Sequence, residues 1–245
     1  MTYSLFHLIF ILPPILLLAY QQPQPLAGVG GRKAGLALLL IAAVAFVYTT
    51  PWDNYLIWRD VWHYGRDRVL GTVGYVPVEE YLFFVLQPIL TGLWLYRLLG
   101  NAVEPTQKSS SWANAGGATI WVGLSLAGVW LLQRDFGVYL GLILVWASPI
   151  LALQWLIGGA QLWARKRLWF TATLVPTLYL WIADRIAIGQ GIWSISEVYT
   201  TGLHLFGLPI EEATFFLVTN FLVVQGLLLL LVLSKASKLL LQTEG

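Results

Sequence analysis

The sequence predicts an all-α, polytopic membrane protein of about seven transmembrane helices, organised as a parallel internal repeat. Three observations lead there. The 245 residues are 58% hydrophobic and only 11% charged, against about 25% charged in an average soluble domain. Apolar runs of membrane-crossing length recur along the chain. An acidic motif at the start of one such run returns, in register, at the start of another.

Taken in order, the runs fall at about 3–20, 34–51, 77–98, 115–132, 137–157, 168–188 and 208–233. The first has no basic residue before it and no small-residue cleavage site after it, so it reads as a retained helix rather than a signal peptide. The second and fourth are the shortest. Prolines 13, 14, 88, 149 and 176 lie in or beside spans, where neighbouring helices can satisfy the carbonyls they free. Lys and Arg in the loops set orientation. One side carries nine (Arg32, Lys33, Arg97, Lys108, Arg165, Lys166, Arg167, Lys235, Lys238). The other carries five (Arg59, Arg66, Arg68, Arg134, Arg185). The expectation is a multi-pass protein of the cell membrane with its N-terminus outside and its C-terminus cytoplasmic.

The repeat matches Asp53, Trp62 and Pro77-Val78-Glu79-Glu80 with Asp184, Trp193 and Pro209-Ile210-Glu211-Glu212. Asp-to-Trp is nine residues in both copies, and Phe83-Phe84 and Phe215-Phe216 follow at one offset. Residues 1–100 then form one three-helix repeat, 101–136 a linker with a connecting helix, and 137–245 the second repeat. Three spans plus one connector is an even number, so both copies enter the membrane in the same sense. Both acidic motifs fall on one side of the bilayer, where a shared site can form.

In each copy a helix is expected to end at the aspartate, and the next to open at Pro-x-Glu-Glu. Helix grammar accounts for one copy: proline suits the first position, and acids favour the positive end of the dipole. It does not account for the motif standing twice at a membrane boundary, where ionisable groups are costly. Glu79 and Glu80 point about 100° apart. The stripe below Glu80 (Phe84, Gln87) and Glu212 (Phe216, Thr219) is aromatic then polar, whereas that below Glu79 and Glu211 is apolar. Either face suits a site, so all four glutamates stand as candidates, with Asp53 and Asp184 beside them. An ion pair of Asp184 with a nearby arginine is the plain alternative for that residue. Most of the 13 tryptophans belong to interfacial belts. Trp62 and Trp193 keep register with the acids and, with Trp52, Tyr55, Trp58 and the paired phenylalanines, can wall a pocket that stabilises a cation.

Absences narrow the chemistry. There are no cysteines, and His7, His63 and His204 share no metal-site spacing, so no metal is expected. No Gly-x-Gly-x-x-Gly or Walker sequence points to a flavin, nicotinamide or nucleotide cofactor. No acidic cluster of the magnesium-binding prenyl-diphosphate type occurs. The seventh span has no lysine before Ser234 for a retinal Schiff base. A net charge of +2 gives no reason to expect nucleic acid.

Thr50-Pro51-Trp52-Asp53-Asn54, then Gly74-Tyr75-Val76-Pro77-Val78-Glu79-Glu80-Tyr81-Leu82-Phe83-Phe84, and Leu208-Pro209-Ile210-Glu211-Glu212 in the second copy resemble the integral-membrane lycopene β-cyclases in their fused two-copy form. The second copy departs with Ala183-Asp184-Arg185 in place of Trp52-Asp53-Asn54. The resemblance implies a redox-neutral isomerisation in carotenoid biosynthesis, lycopene to γ-carotene and then β-carotene, without a cofactor. It implies catalytic roles among Glu79, Glu80, Glu211, Glu212, Asp53 and Asp184. Trp52, Trp62, Trp193, Phe83, Phe84, Phe215, Phe216 and Asn54 would face substrate or cation, and Pro77 and Pro209 would be structural. An acid protonates the terminal alkene, the neighbouring double bond closes the ring, and a base removes a proton. The expected partners are lycopene, other carotenoids and the lipid bilayer. A homo-oligomer, or a complex with other carotenoid enzymes, is compatible with the sequence. Two other readings stand beside this one: a carotenoid hydratase, needing an ordered water beside the acids, and a small proton-coupled transporter, needing acids at mid-membrane.

Overall fold

Away from water every backbone N–H must find its acceptor within its own segment, so the apolar runs become helices. The computed structural model describes residues 1–21, 31–99 and 111–243, without the side chains of 111 and 234–243. Lys108, the side chains of Lys235 and Lys238, and residues 101–110 of the expected linker therefore lie outside the described residues. The long helices among the described residues are α1 (Tyr3–Tyr20), α2 (Arg32–Trp58), α3 (Val78–Leu99) and α4 (Ser111–Leu131). They continue with α5 (Val138–Ala164), α6 (Lys166–Gly189) and α7 (Ile210–Thr243). By length and composition, five stretches can cross a membrane: Tyr3–Tyr20, Arg32–Trp58, Val78–Leu99, Asp135–Ala164 and Ile210–Leu233. Among the described residues the expected count of seven is thus not confirmed by this measure. Small and polar residues dilute α4, and charged and hydroxyl residues dilute α6.

Local sequence explains the irregular places. Pro13 and Pro14 cannot donate to the carbonyls one turn back, and α1 widens into a π-turn over His7–Ile11. The Phe10 carbonyl that Pro14 leaves free accepts the Tyr179 hydroxyl of α6 at 2.8 Å. α4 lies against α5 through glycines, the close-approach device of membrane helices. A Cβ on Gly141 would stand 2.9 Å from the Gly128 carbonyl oxygen.

The loops after α2 and α6 are built alike. Each carries a short strand, β1 (Trp62–Tyr64) or β4 (Trp193–Ile195), then a two-strand hairpin. The hairpins are β2 (Thr72–Val73) with β3 (Val76–Pro77), and β5 (His204–Leu205) with β6 (Leu208–Pro209). Positive φ at Gly74 (65°) and at Phe206 and Gly207 (51° and 79°) makes the tight turns. Pro77 and Pro209 end the hairpins, with one residue, Val78 or Ile210, between each and its glutamate pair.

β1 and β4 pair antiparallel, with Trp62 opposite Ile195, His63 opposite Ser194 and Tyr64 opposite Trp193. Because Trp62 and Trp193 are equivalent in the repeat, this register is a local two-fold axis passing between His63 and Ser194. The same rotation relates Tyr3 N–H donating to Arg68 O (2.8 Å) with Tyr139 N–H donating to Tyr199 O (3.0 Å). It also relates α3 to α7, which cross at the centre and each pack on three further helices, α1, α2 and α6 around α3, and α5, α6 and α2 around α7.

The helices run past the aspartates. Asp53 lies within α2, which continues to Trp58, and Asp184 within α6, which continues to Gly189. The expectation that each aspartate closes its helix is therefore corrected. The helix continues past Asp53, and Tyr55 and Trp58 on it are exposed and line none of the described cavities.

Candidate active site

Six carboxyl groups meet where α3 and α7 begin. Asp53, Glu79, Glu80, Asp184, Glu211 and Glu212 are all buried, although carboxylates are seldom buried without a specific partner. Their partners separate the two glutamates of each pair.

Glu79 and Glu211 turn toward the loops. Glu79 Oε1 accepts from Ser4 Oγ at 2.8 Å and Leu70 N–H at 3.0 Å. Glu211 Oε1 accepts from Thr201 N–H at 2.7 Å and Thr201 Oγ1 at 2.8 Å. Leu70 and Thr201 are two-fold equivalents, so each first glutamate fastens the loop in front of its own helix.

Glu80 and Glu212 turn inward. Glu80 Oε2 accepts from the Tyr3 hydroxyl at 2.6 Å and the Tyr64 hydroxyl at 3.0 Å. Glu212 Oε1 accepts from the Tyr139 hydroxyl at 2.6 Å. Burial, and the Glu80 carboxyl beside it, push the Tyr64 hydroxyl well above the ordinary phenol value, so it stays a donor. Glu80, Glu212 and Asp184 line one cavity of about 30 Å³, walled by Tyr3, Phe6, Trp62, Tyr64, Phe83, Trp193, Phe215 and Phe216. Asp184 Oδ1 accepts from Trp193 Nε1 at 2.9 Å, the partner it takes in place of an arginine. Both oxygens of Asp53 are buried without a hydrogen bond.

The walls are aromatic faces and edges. Trp52 stacks on both Trp146 (centroids 4.8 Å) and Phe215 (5.7 Å, planes 5° apart), which lie 6.3 Å from each other, so the three rings form a cluster. Trp62 sets its edge against Trp52 and Tyr139. Phe83 meets Phe216 across the two-fold at 6.2 Å. Phe84 lies away from the acids and lines a second, apolar chamber of about 150 Å³, with Phe83, Phe215, Tyr48 and Trp146 among its walls.

Asn54 is the sequence candidate that the structure moves elsewhere. Its Oδ1 accepts Tyr75 N–H at 3.0 Å and its Nδ2 donates to Thr50 O and Tyr81 Oη. It braces the first hairpin, where a Cβ on Gly74 would stand 2.5 Å from Asn54 Oδ1. Arg185, its repeat equivalent, lies as closely against Gly207 of the second hairpin. The change from Asn to Arg therefore keeps a hairpin brace and does not alter the cavity.

Sequence reasoning missed Tyr3, Tyr64 and Tyr139. Tyr3 and Tyr139 lie 77 and 73 residues from the carboxyls they meet. His7 is buried with Nδ1 on the Tyr3 carbonyl, while His63 and His204 are exposed, and the three do not converge.

A buried acid–phenol–indole cavity, parted from an apolar chamber by Phe83 and Phe215, can move protons on and off a hydrocarbon while excluding water. The comparisons with known proteins bear on which hydrocarbon. The family model described as lycopene cyclase matches residues 1–99 and 129–235. The chain is 45% identical over 231 residues to a lycopene beta-cyclase of Halobacterium salinarum, covering 93% of this chain and 95% of that protein. It is 41% identical to a bifunctional lycopene cyclase/phytoene synthase of Colletotrichum graminicola, covering 92% of this chain and 40% of that one. A bifunctional protein of the same description from Phaeosphaeria nodorum is 38% identical, over 91% of this chain and 40% of its own length. No solved structure matches. The chain belongs to the lycopene cyclase family.

Proposed function

We propose that this chain is a lycopene β-cyclase whose Glu80 and Glu212 act as the acid–base pair of one cavity shared by both halves. The observation that carries the reading is the convergence of these two carboxyls, each fixed by a phenol, among aromatic walls on a two-fold axis. One carboxylic acid gives its proton to the terminal C=C of the acyclic end, leaving a tertiary cation. The π electrons of the neighbouring C=C form the ring bond and leave the positive charge on the far carbon of that C=C. The partner carboxylate removes a ring proton, and that C–H pair becomes the ring double bond. One proton enters and one leaves, so no oxidant or reductant is needed.

The residues divide the work. Both phenols of Glu80 meet at Oε2, which leaves Oε1 for the substrate. Trp52, Trp62 and Phe215 offer faces and edges to the cation, worth about 2 kcal/mol or more in a desolvated site. The same walls exclude the water that would capture it as an alcohol. Glu79 and Glu211 hold the loops that carry Trp62, Tyr64 and Trp193. Asp184 positions Trp193, and Asp53 completes the buried acid cluster. Residues 1–100 and 137–245 act as the two halves, with 101–136 joining them. The excess of Lys and Arg on one side supports an outside N-terminus and a cytoplasmic C-terminus.

Pigment chromatography of a lycopene-accumulating bacterial host expressing the chain tests this reading. A bicyclic product of unchanged mass is expected. A product heavier by one water would replace the reading by a hydratase. Unchanged lycopene, with the protein shown in the membrane, would overturn it.

A further inference from the structure

The acid cavity, at about 30 Å³, has room for water but is about a fifth of the cavity volume that holds a benzene molecule. A carotenoid end group cannot be stored there and must arrive from somewhere larger. The chamber of about 150 Å³ is that place, since a dry cavity of this volume holds a benzene molecule. Phe83 and Phe215 stand in the walls of both spaces, so two side chains separate the chamber from the carboxyls. On its other side the chamber shares Val44, Tyr48 and Trp146 with an apolar groove on the outer face of α2 and α5.

The wall between groove and chamber is made of side chains. The Tyr48 hydroxyl donates to the Trp146 carbonyl at 2.9 Å, and the two rings stack at 5.5 Å. Trp52 adds a hydrogen bond from Nε1 to the Leu142 carbonyl at 3.3 Å. At the two-fold related seam, Tyr179 makes the equivalent bond to the Phe10 carbonyl. There the acceptor has been freed by Pro14, and Ala183 stands where the first seam has Trp52. The Trp146 carbonyl lies in the first turn of helix before Ile150 and has that residue's N–H to fall back on. The Tyr48 bond can therefore open without leaving a bare carbonyl.

We propose that the seam between α2 and α5, latched by Tyr48 on the Trp146 carbonyl, is the doorway by which one end of a linear polyene hydrocarbon passes from the lipid into the chamber beside the acids. The inference rests on the cyclase reading and adds the route of entry to it.

The chain has no cysteine, so one introduced thiol can be modified without background. Val44, in the wall of both groove and chamber, is replaced as Val44→Cys, and Leu39, exposed on the same helix, as Leu39→Cys. Each is treated in membranes with benzyl methanethiosulfonate, modification is confirmed by mass, and lycopene turnover is measured before and after. The expected result is at least a tenfold loss at Val44→Cys, restored by dithiothreitol, and no loss at Leu39→Cys. Restoration by reductant separates a blocked path from a damaged fold. Modified Val44→Cys that keeps its rate, or an equal loss at Leu39→Cys, overturns the doorway. Ala45→Cys, also in the chamber wall, repeats the test at a second position. An unmodified wild-type chain that leaves lycopene untouched overturns the cyclase reading itself, and this inference with it.

Discussion

The sharpest consequence of the site is that two adjacent glutamates should respond differently to one substitution. Glu80→Gln keeps size and polarity but removes the acidic proton and the charge. General acid–base catalysis contributes about 10²–10⁴-fold, so turnover should fall by at least about 100-fold. Glu79→Gln keeps an oxygen for Ser4 Oγ and Leu70 N–H, the two donors found at 2.8 and 3.0 Å. Only the charge assistance is lost, about 1 kcal/mol per bond. The sum, about 2 kcal/mol, caps the effect near 30-fold even if the loop were balanced between ordered and open. A loop held with reserve would show less, so a loss within about tenfold is expected. The pair Glu212→Gln and Glu211→Gln should repeat the pattern. The assay is the initial rate of lycopene loss in membranes containing equal amounts of protein, read by chromatography. A dead Glu79→Gln beside an active Glu80→Gln would refute the division of roles. Full activity in all four variants would refute carboxyl catalysis here altogether.

Other expectations follow from the same contacts. Tyr139→Phe removes the one phenol on Glu212, a hydrogen bond to a carboxyl worth about 1.5–3 kcal/mol, and should slow turnover by roughly 10- to 100-fold with unchanged expression. Trp62→Leu, which keeps an apolar side chain but loses the indole, should cost about 30-fold in rate, equivalent to the 2 kcal/mol of a desolvated aromatic–cation contact; a rate within twofold of wild type would argue against cation stabilisation by that ring. Asn54→Ala leaves Tyr75 N–H without its acceptor and should lower the melting temperature in detergent, with turnover falling only in proportion to folded protein. Gly74→Val, at φ 65° and 2.5 Å from Asn54 Oδ1, should be more damaging to folding than Asn54→Ala; equal melting temperatures would show that the hairpin is not held as described.

Much of this was legible in the sequence because it is local. Apolar runs fix helices, and the order Asp53–Trp62–Glu80 returns in the second copy, with the same Asp-to-Trp spacing and one residue more between Trp193 and Glu212, because the loop between α2 and α3 is rebuilt as a unit between α6 and α7. The family could be read from the same residues. What the sequence concealed depends on contacts between distant segments. Tyr3 and Tyr139 do the same thing for Glu80 and Glu212, but 50 residues separate Tyr3 from Asp53 and 45 separate Tyr139 from Asp184, so no single offset reveals them. Glu79 and Glu80 were indistinguishable because helical geometry gives their angle, not the direction of the cavity. Helices stand at all seven expected runs, and among the described residues five stretches are long and apolar enough to cross a membrane, because α4 and α6 are only mildly apolar. Asn54 misled because it sits in the motif next to an acid, and only the hairpin packed over it gives its purpose.

The two-fold axis between His63 and Ser194 has a consequence for repeated turnover. On the proposed mechanism, each ring closure would take a proton from one carboxyl and return one to its partner. Since Glu80 and Glu212 exchange places under a half turn, the spent site is the fresh site seen from the opposite half. The second end of the same molecule, presented half a turn round, would find a loaded donor and an empty acceptor already waiting. Two closures would then restore the starting state with no proton drawn from water between them. Deuterium uptake from heavy water into the bicyclic product should therefore fall short of one atom per ring, and full uptake at both rings would exclude the exchange.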